Sequence, residues 1–242
     1  MKLIWLPSID STNSEAQRRL PELSSGTVLA AREQTAGRGQ RGNSWFSEPG
    51  ANLTFSIVLK FAQGELPARN AHWLNYLISN VVVAFLQDCG VDSQVKWPND
   101  IYVGRRKICG ILIENTLRGD SLEASVIGVG ININQQAFPQ LASATSVRLC
   151  TGREMDLDAC LEALLALFEK ALPQLKEEPS ALLEAYTARL FQKGVQASYH
   201  DCLKKEQITG VIEGVAPDGR LQIRDSAGML RLYQFKEVSY IL

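Results

Sequence analysis

Along residues 52–60 (Asn-Leu-Thr-Phe-Ser-Ile-Val-Leu-Lys) apolar and polar side chains alternate, the period of two that gives a β-strand one buried face. Residues 2–6 repeat that pattern over a shorter run, and residues 27–32 predict a further strand. Between them, Asp10-Ser11-Thr12-Asn13-Ser14-Glu15 reads as a helix start. Thr12 and Glu15 stand at capping-box spacing, and the helix over 13–20 ends at Pro21. Residues 68–89 carry a long helical pattern that runs into Gly90, a residue suited to a helix C-terminus. Strands are expected over 92–97, 100–103 and 107–115, with a turn at Gly104-Arg105. Residues 123–133 are apolar along their length and predict a central strand.

The pattern changes after Cys150. Two helices are expected over 155–175 and 179–192, with Leu161, Leu164, Leu165 and Phe168 on one face of the first. From Gly194 onward short strands alternate with tight turns. Residues 208–215 and 221–224 form a hairpin through Ala216-Pro217-Asp218-Gly219, and strands over 230–235 and 238–242 complete a small barrel. The domain boundary is placed near 190, and no internal repeat is evident.

Composition narrows the function. With 45% hydrophobic residues in 242, the chain can bury a core, and no part reads as low-complexity. Lys plus Arg (25) nearly balance Asp plus Glu (26), so no basic surplus argues for a nucleic-acid binder. The five cysteines lack CxxC spacing, which argues against a disulfide framework or zinc site and suits a reducing cytoplasm. Two histidines are too few for a histidine-based metal centre. No signal peptide or membrane-length apolar run is visible.

Four segments carry chemistry. In Gln34-Thr35-Ala36-Gly37-Arg38-Gly39-Gln40-Arg41-Gly42-Asn43-Ser44-Trp45, glycines let backbone N–H groups converge on an anion, and Arg38 and Arg41 add charge suited to phosphate or carboxylate. Trp45 offers a face for an adenine ring. A plain surface turn explains the loop equally well, and the Walker spacing is absent. Lys96, in Lys96-Trp97-Pro98-Asn99-Asp100, stands at a strand end before a Pro-fixed turn, where an ammonium can bridge two anions. An exposed strand-end lysine is the ordinary alternative, and Asn99 and Asp100 are read as turn formers. In Gly110-Ile111-Leu112-Ile113-Glu114 and Gly128-Val129-Gly130-Ile131-Asn132-Ile133-Asn134, glycine lets a ligand approach an apolar strand.

In this order, together with Ser11-Thr12-Asn13 and Asn52-Leu53, the segments resemble the biotin–protein ligase family, also called biotin–acetyl-CoA-carboxylase ligases or holocarboxylase synthetases. The resemblance spans residues 11–134 sharply and the C-terminal strands less so. It implies an α+β fold: a mixed-sheet catalytic domain with flanking helices, of the class II aminoacyl-tRNA-synthetase and biotin-ligase type, over 1–190, and an SH3-like barrel over 191–242. It implies that Ser11, Thr12 and Gln34 hold the ureido group of biotin. Asn13, Arg38, Gly39, Gln40 and Gly110 belong to the same biotin site. Lys96 meets the biotin carboxylate and the α-phosphate of ATP. Arg38, Arg41, Trp45 and Asn132 contact the adenylate, and Lys96 and Arg38 are the catalytic pair. Biotin and ATP are the substrates and Mg²⁺ the accompanying ion, with no metal ligands named. The partner is a biotin carboxyl carrier domain, with no DNA or membrane, and the protein is a monomer or homodimer.

Two departures stand out. The family loop reads Gly-Arg-Gly-Arg, but the fourth residue here is Gln40, and a further basic position is Asn43. Both lost charges weaken the expected hold on the adenylate. Ser11 also lies close to the start of the chain, so a ligase-only member without a DNA-binding domain is expected. Two rival readings compete with this one. A lipoate or octanoyl transferase needs a cysteine nucleophile, for which Cys109 is the candidate and a core position its ordinary reading. A biotin-responsive regulator needs a reader domain or basic face, and Arg105-Arg106-Lys107 in a hairpin turn does not supply one.

Overall fold

Of the 242 residues, the computed structural model describes all but Gln140, Ala142, Leu242 and the side chain of Arg41. The first part of the chain gives β1 (Lys2–Leu6), α1 (Thr12–Arg18), β2 (Thr27–Ala31), β3 (Leu53–Lys60), α2 (His72–Asp88), β4 (Gln94–Lys96), β5 (Asp100–Val103), β6 (Arg106–Arg118) and β7 (Ser121–Ile131). Helices α3 (Val147–Thr151), α4 (Leu157–Ala171), α5 (Gln174–Glu177) and α6 (Pro179–Ala188) follow. The chain ends in β8 (Gln196–Asp201), β9 (Glu206–Val215), β10 (Leu221–Asp225), β11 (Leu230–Tyr233) and β12 (Val238–Tyr240).

The first seven strands form one mixed sheet in the order β1-β2-β3-β7-β6-β5-β4. β1 and β2 are parallel, and every other neighbouring pair is antiparallel. β7 is central, as its unbroken apolar run requires. Alternation sorts its residues and those of β3 onto two faces. Ile57 and Ile127 join the large core beneath α2 and α4, while Val58 and Val126 pack with Ala16 of α1 on the other face. That second face is covered unevenly. The seven residues of α1 reach β2, β3 and β7 and leave the β6-β5-β4 half open.

Several boundaries differ from the pattern. The N-cap of α1 is Ser11, whose hydroxyl accepts from Ser14 N, so the cap lies one residue before the expected Thr12. Residues 68–70 form a separate 3₁₀ turn, and α2 starts at His72. The helix expected over 155–175 stops at Ala171, and α5 begins after Pro173, whose ring cannot continue a helix. Leu161, Leu164, Leu165 and Phe168 do share the buried face.

The C-terminal strands, expected as a barrel, form one antiparallel sheet in the order β11-β10-β9-β8-β12. Leu242, the expected end of the last strand, lies outside the described residues. This sheet is seated on the first. Segment 189–191 pairs with β4 through Val95 N–Arg189 O and Phe191 N–Val95 O, both 2.8 Å. The Pro217–Gly219 turn of the β9–β10 hairpin accepts from Trp97 Nε1 at 3.2 Å and contacts His72 Nε2 at 3.1 Å. Apolar residues of both sheets share one core.

Candidate functional site

One transverse row of the large sheet organises the site. Leu6, Ala31, Thr54, Gly130, Gly110, Asp100 and Lys96 are successive register partners across all seven strands. Two residues along, Ser56, Gly128 and Leu112 form a second row. On the open face Gly130, Gly110, Asp100 and Lys96 of the first row and Gly128 and Leu112 of the second line a cavity of about 560 Å³, within the size of small-molecule sites.

A closed hydrogen-bond cluster stands on the second row. Thr12 N and Oγ1 donate to Gln34 Oε1 at 2.7 and 3.1 Å. Ser56 Oγ lies 2.8 Å from Thr12 Oγ1 and 2.6 Å from Asn13 Oδ1. Asn13 Oδ1 can only accept, so the single Ser56 proton goes there. Asn13 Nδ2 donates to Leu112 O and Glu114 Oε2, which fixes the amide's orientation. The Ser11-Thr12-Asn13 turn is tied from outside. Asp10 accepts from Ser11 N and from both terminal nitrogens of Arg18, and that arginine holds its carboxyl down at about 2.

The glycine loop is a pinned hairpin. Trp45 N donates to Gly37 O and Gly39 N to Asn43 O, around a 3₁₀ turn at Gln40–Gly42. These two N–H groups are therefore occupied within the loop. Arg38 is anchored as well: its guanidinium holds Glu114 at 2.7 and 3.2 Å and reaches Ser14 Oγ at 3.3 Å. The Trp45 ring covers Gly130 and Gly110, filling the space their missing Cβ atoms leave. Likewise Asn13 fills the space over Gly128. The strand glycines thus admit side chains of the site itself, where ligand approach to bare backbone was expected. Trp45 Nε1 is buried with no hydrogen-bond partner among the described residues, a donor in reserve.

The first row ends in charge. Lys96 Nζ donates to Tyr102 Oη at 3.3 Å, and burial pushes its pKa down, with Lys107 adding to the effect and Asp100 opposing it. Lys107 pairs with Asp100 at 2.7 Å and stands 5.7 Å from the Trp45 ring centre. The neighbouring Lys-Trp-Pro-Asn-Asp residues do more than turn the chain. Buried Asn99 bridges to Ile111 O, and Ile111 N returns a bond to Asn99 O, fastening β5 to β6. Phe235, Lys236, Val238, Ser239 and Tyr240 of the C-terminal sheet complete the wall.

Ser11, Thr12, Asn13, Gln34, Arg38, Gly39, Gln40, Trp45, Lys96 and Gly110 are thus brought to one cavity. The side chain of Arg41 lies outside the described residues. Asn132 stands apart: it is buried at the end of β7, donates to Thr145 O, and does not line the cavity. Ser56, Glu114, Lys107 and Tyr240 were not expected. Ser56 had a signal, a small polar residue inside an apolar strand, and so had Glu114, a charge closing one. Tyr240 had none. Among the described residues no three His, Cys, Asp or Glu side chains cluster as a metal cage. Among the described residues no helix is long and apolar enough to cross a membrane.

Residues 5–132 match the sequence profile of the biotin/lipoate A/B protein ligase family. The chain is 44% identical over 129 residues to the bifunctional ligase/repressor BirA of Escherichia coli (strain K12), covering 53% of this chain and 39% of that protein. It spans 39 to 53% of the length of the four bifunctional ligase/repressors it matches. It is 30% identical over 229 residues to the biotin–[acetyl-CoA-carboxylase] ligase of Paracoccus denitrificans, covering 92% of this chain and 94% of that one. The biotin protein ligase from Aquifex aeolicus, solved in complex with biotin and ATP, superposes with a TM-score of 0.81 at 28% identity, covering 98% and 97% of the two chains.

Proposed function

The chain belongs to the biotin/lipoate A/B protein ligase family, and from that premise we propose that it activates biotin with ATP and transfers the biotinyl group to a lysine of a carboxyl carrier domain. The observation that carries this reading is the pairing, in one cavity, of Thr12, Asn13 and Gln34, the first two tied together by Ser56, with the Lys96 cation. A ureido ring needs polar partners at fixed positions, and the mutual hydrogen bonds of the cluster fix the hydroxyl and amide groups that face the cavity. Strands spaced about 4.8 Å apart separate Gly130 from Lys96 by roughly 14 Å, room for an extended acyl chain and the phosphate it meets.

In the first step the biotin carboxylate attacks the α-phosphorus of ATP, forming the acyl–phosphate bond and releasing pyrophosphate. Two anions must approach, so Lys96, aided by Lys107, lowers the barrier by stabilising charge where it builds up. In the second step the carrier lysine, as its neutral amine, attacks the acyl carbon and AMP departs. Trp45, whose ring fills the space over Gly110 and Gly130, walls the cavity beside the adenylate. Mg²⁺ would accompany ATP: among the described residues Asp100, which also pairs with Lys107, is the carboxylate on the cavity wall, and with phosphate oxygens it would hold the ion, which would neutralise phosphate charge.

Biotin-dependent exchange of labelled pyrophosphate into ATP, and a biotinyl mass increase on a carrier domain, are the expected results. Equal exchange with lipoate overturns the substrate assignment. Thiol-based acyl transfer finds no support: Cys109 is fully buried, and burial pushes its thiol well up.

A further inference from the structure

Lys96 is held between aromatic rings from two different sheets. Its ammonium lies 4.8 Å from the ring centre of Tyr102 and 5.1 Å from that of Tyr240. Tyr102 belongs to β5, whereas Tyr240 is the last residue of β12, paired in register with Tyr199 of β8. The second ring is itself fixed. Tyr199 meets it edge-on at 5.6 Å and 70°, and Phe191 lies against it at 6.0 Å while touching Tyr102 at 5.7 Å.

The charged groups around Lys96 are Asp100, which attracts it, and Lys107, which repels it and is itself paired to Asp100. Neither holds the ammonium fully. A carboxylate in the place of Tyr240 would bind it more tightly and would also repel an incoming carboxylate and phosphate. A ring face attracts a cation through its quadrupole and carries no net charge, so it steadies the ammonium and leaves its field available to an anion.

We infer that Tyr240 is a positioning residue for adenylation: its ring, with that of Tyr102, keeps the Lys96 ammonium charged and directed into the cavity. The C-terminal sheet thereby enters the chemistry through Lys96. This rests on the proposed role of Lys96 as the cation that meets the biotin carboxylate and the α-phosphate.

The test varies the ring's electrostatics at nearly constant volume. In the full chain, Tyr240→Phe is followed by mono-, di- and trifluorinated phenylalanine at the same position. Two readouts are taken: kcat and KM of biotin-dependent pyrophosphate exchange, and the rate at which an amine-reactive ester labels Lys96 at neutral pH, measured by peptide mass spectrometry. Tyr240→Phe, which retains the ring face, is the reference against which the fluorinated series is read. Across the fluorinated series kcat should fall stepwise by about tenfold in all, with smaller changes in KM, while Lys96 labelling rises as its charged form loses support. Flat kcat with flat labelling overturns the inference, and so does a labelling change that leaves kcat unmoved. If the native protein shows no biotin-dependent exchange, the proposed function fails on that arm. The labelling series then still decides whether Tyr240 holds Lys96.

Discussion

The side-chain amide of Asn13 occupies the space in which a Cβ on Gly128 would stand. One helix residue and one strand residue are therefore fitted to each other, and the fit sets where the polar cluster sits. Gly128→Ala should displace Asn13 and lower stability by about 1–3 kcal/mol, the usual cost of overpacking. Biotin binding measured calorimetrically should weaken more than tenfold. Adding Asn13→Ala should recover stability without recovering binding, whereas joint recovery would mean that Asn13 does not touch the ligand.

Lys96→Ala should leave thermal denaturation close to native and reduce single-turnover adenylate formation by about 10²–10³, the typical cost of one preorganised charge. Near-normal adenylation would reduce Lys96 to a strand-end lysine.

Arg38 and Glu114 form a partly exposed pair, with side chains 44% and 27% accessible, so the pair itself adds little to stability. Glu114→Ala should change the unfolding free energy by under about 1 kcal/mol. It also removes an acceptor from Asn13 and the anchor of Arg38, so KM for biotin should rise by about tenfold. An unchanged KM would separate this pair from the binding site.

Gln40 lines the cavity, at the loop position where the resemblance to the family leads to an expectation of arginine. Gln40→Arg would add a charge-assisted bond to the adenylate phosphate, worth ~1.5–3 kcal/mol and expressed mostly in the off-rate. Biotinyl-adenylate release in a filter-retention assay should slow by roughly one to two orders of magnitude. If release stays as fast or quickens, another cation already serves that phosphate.

His72 docks the Pro217–Gly219 turn on α2, and burial pushes its pKa below the usual 6.5. Between the folded and unfolded values the unfolded chain binds the extra proton, so stability is full above pH 6.5 and declines as pH falls below it. His72→Gln should flatten that part of the stability-versus-pH curve, measured by urea denaturation.

Where local pattern governs, the sequence is readable. β3 follows from strict alternation, and central β7 from an apolar run with no polar face. The break before α5 was available at Pro173 but is masked by an apolar period that continues through it. β8 (Gln-Ala-Ser-Tyr-His-Asp) is missed by pattern because its residues are mostly polar and only Tyr199 and Asp201 are buried. The same division holds at the site. Contiguous motifs deliver Thr12, Asn13, Gln34 and Lys96 to one cavity, yet their partners Ser56 and Tyr240 are met only through tertiary pairing. Asn132 lies in a contiguous motif too, but its strand carries it past the cavity's edge.

The transverse row from Gly130 to Lys96 draws one residue from each of four strands. A slip of one residue in any of those pairings would turn that strand's contribution to the opposite face. Recognition is therefore coupled to register, and a partly zipped sheet presents no partial site. Ligand should accordingly slow amide exchange in β4, β5, β6 and β7 together, as one cooperative unit, and a chain caught before the last pairing closes would be blind to its substrate.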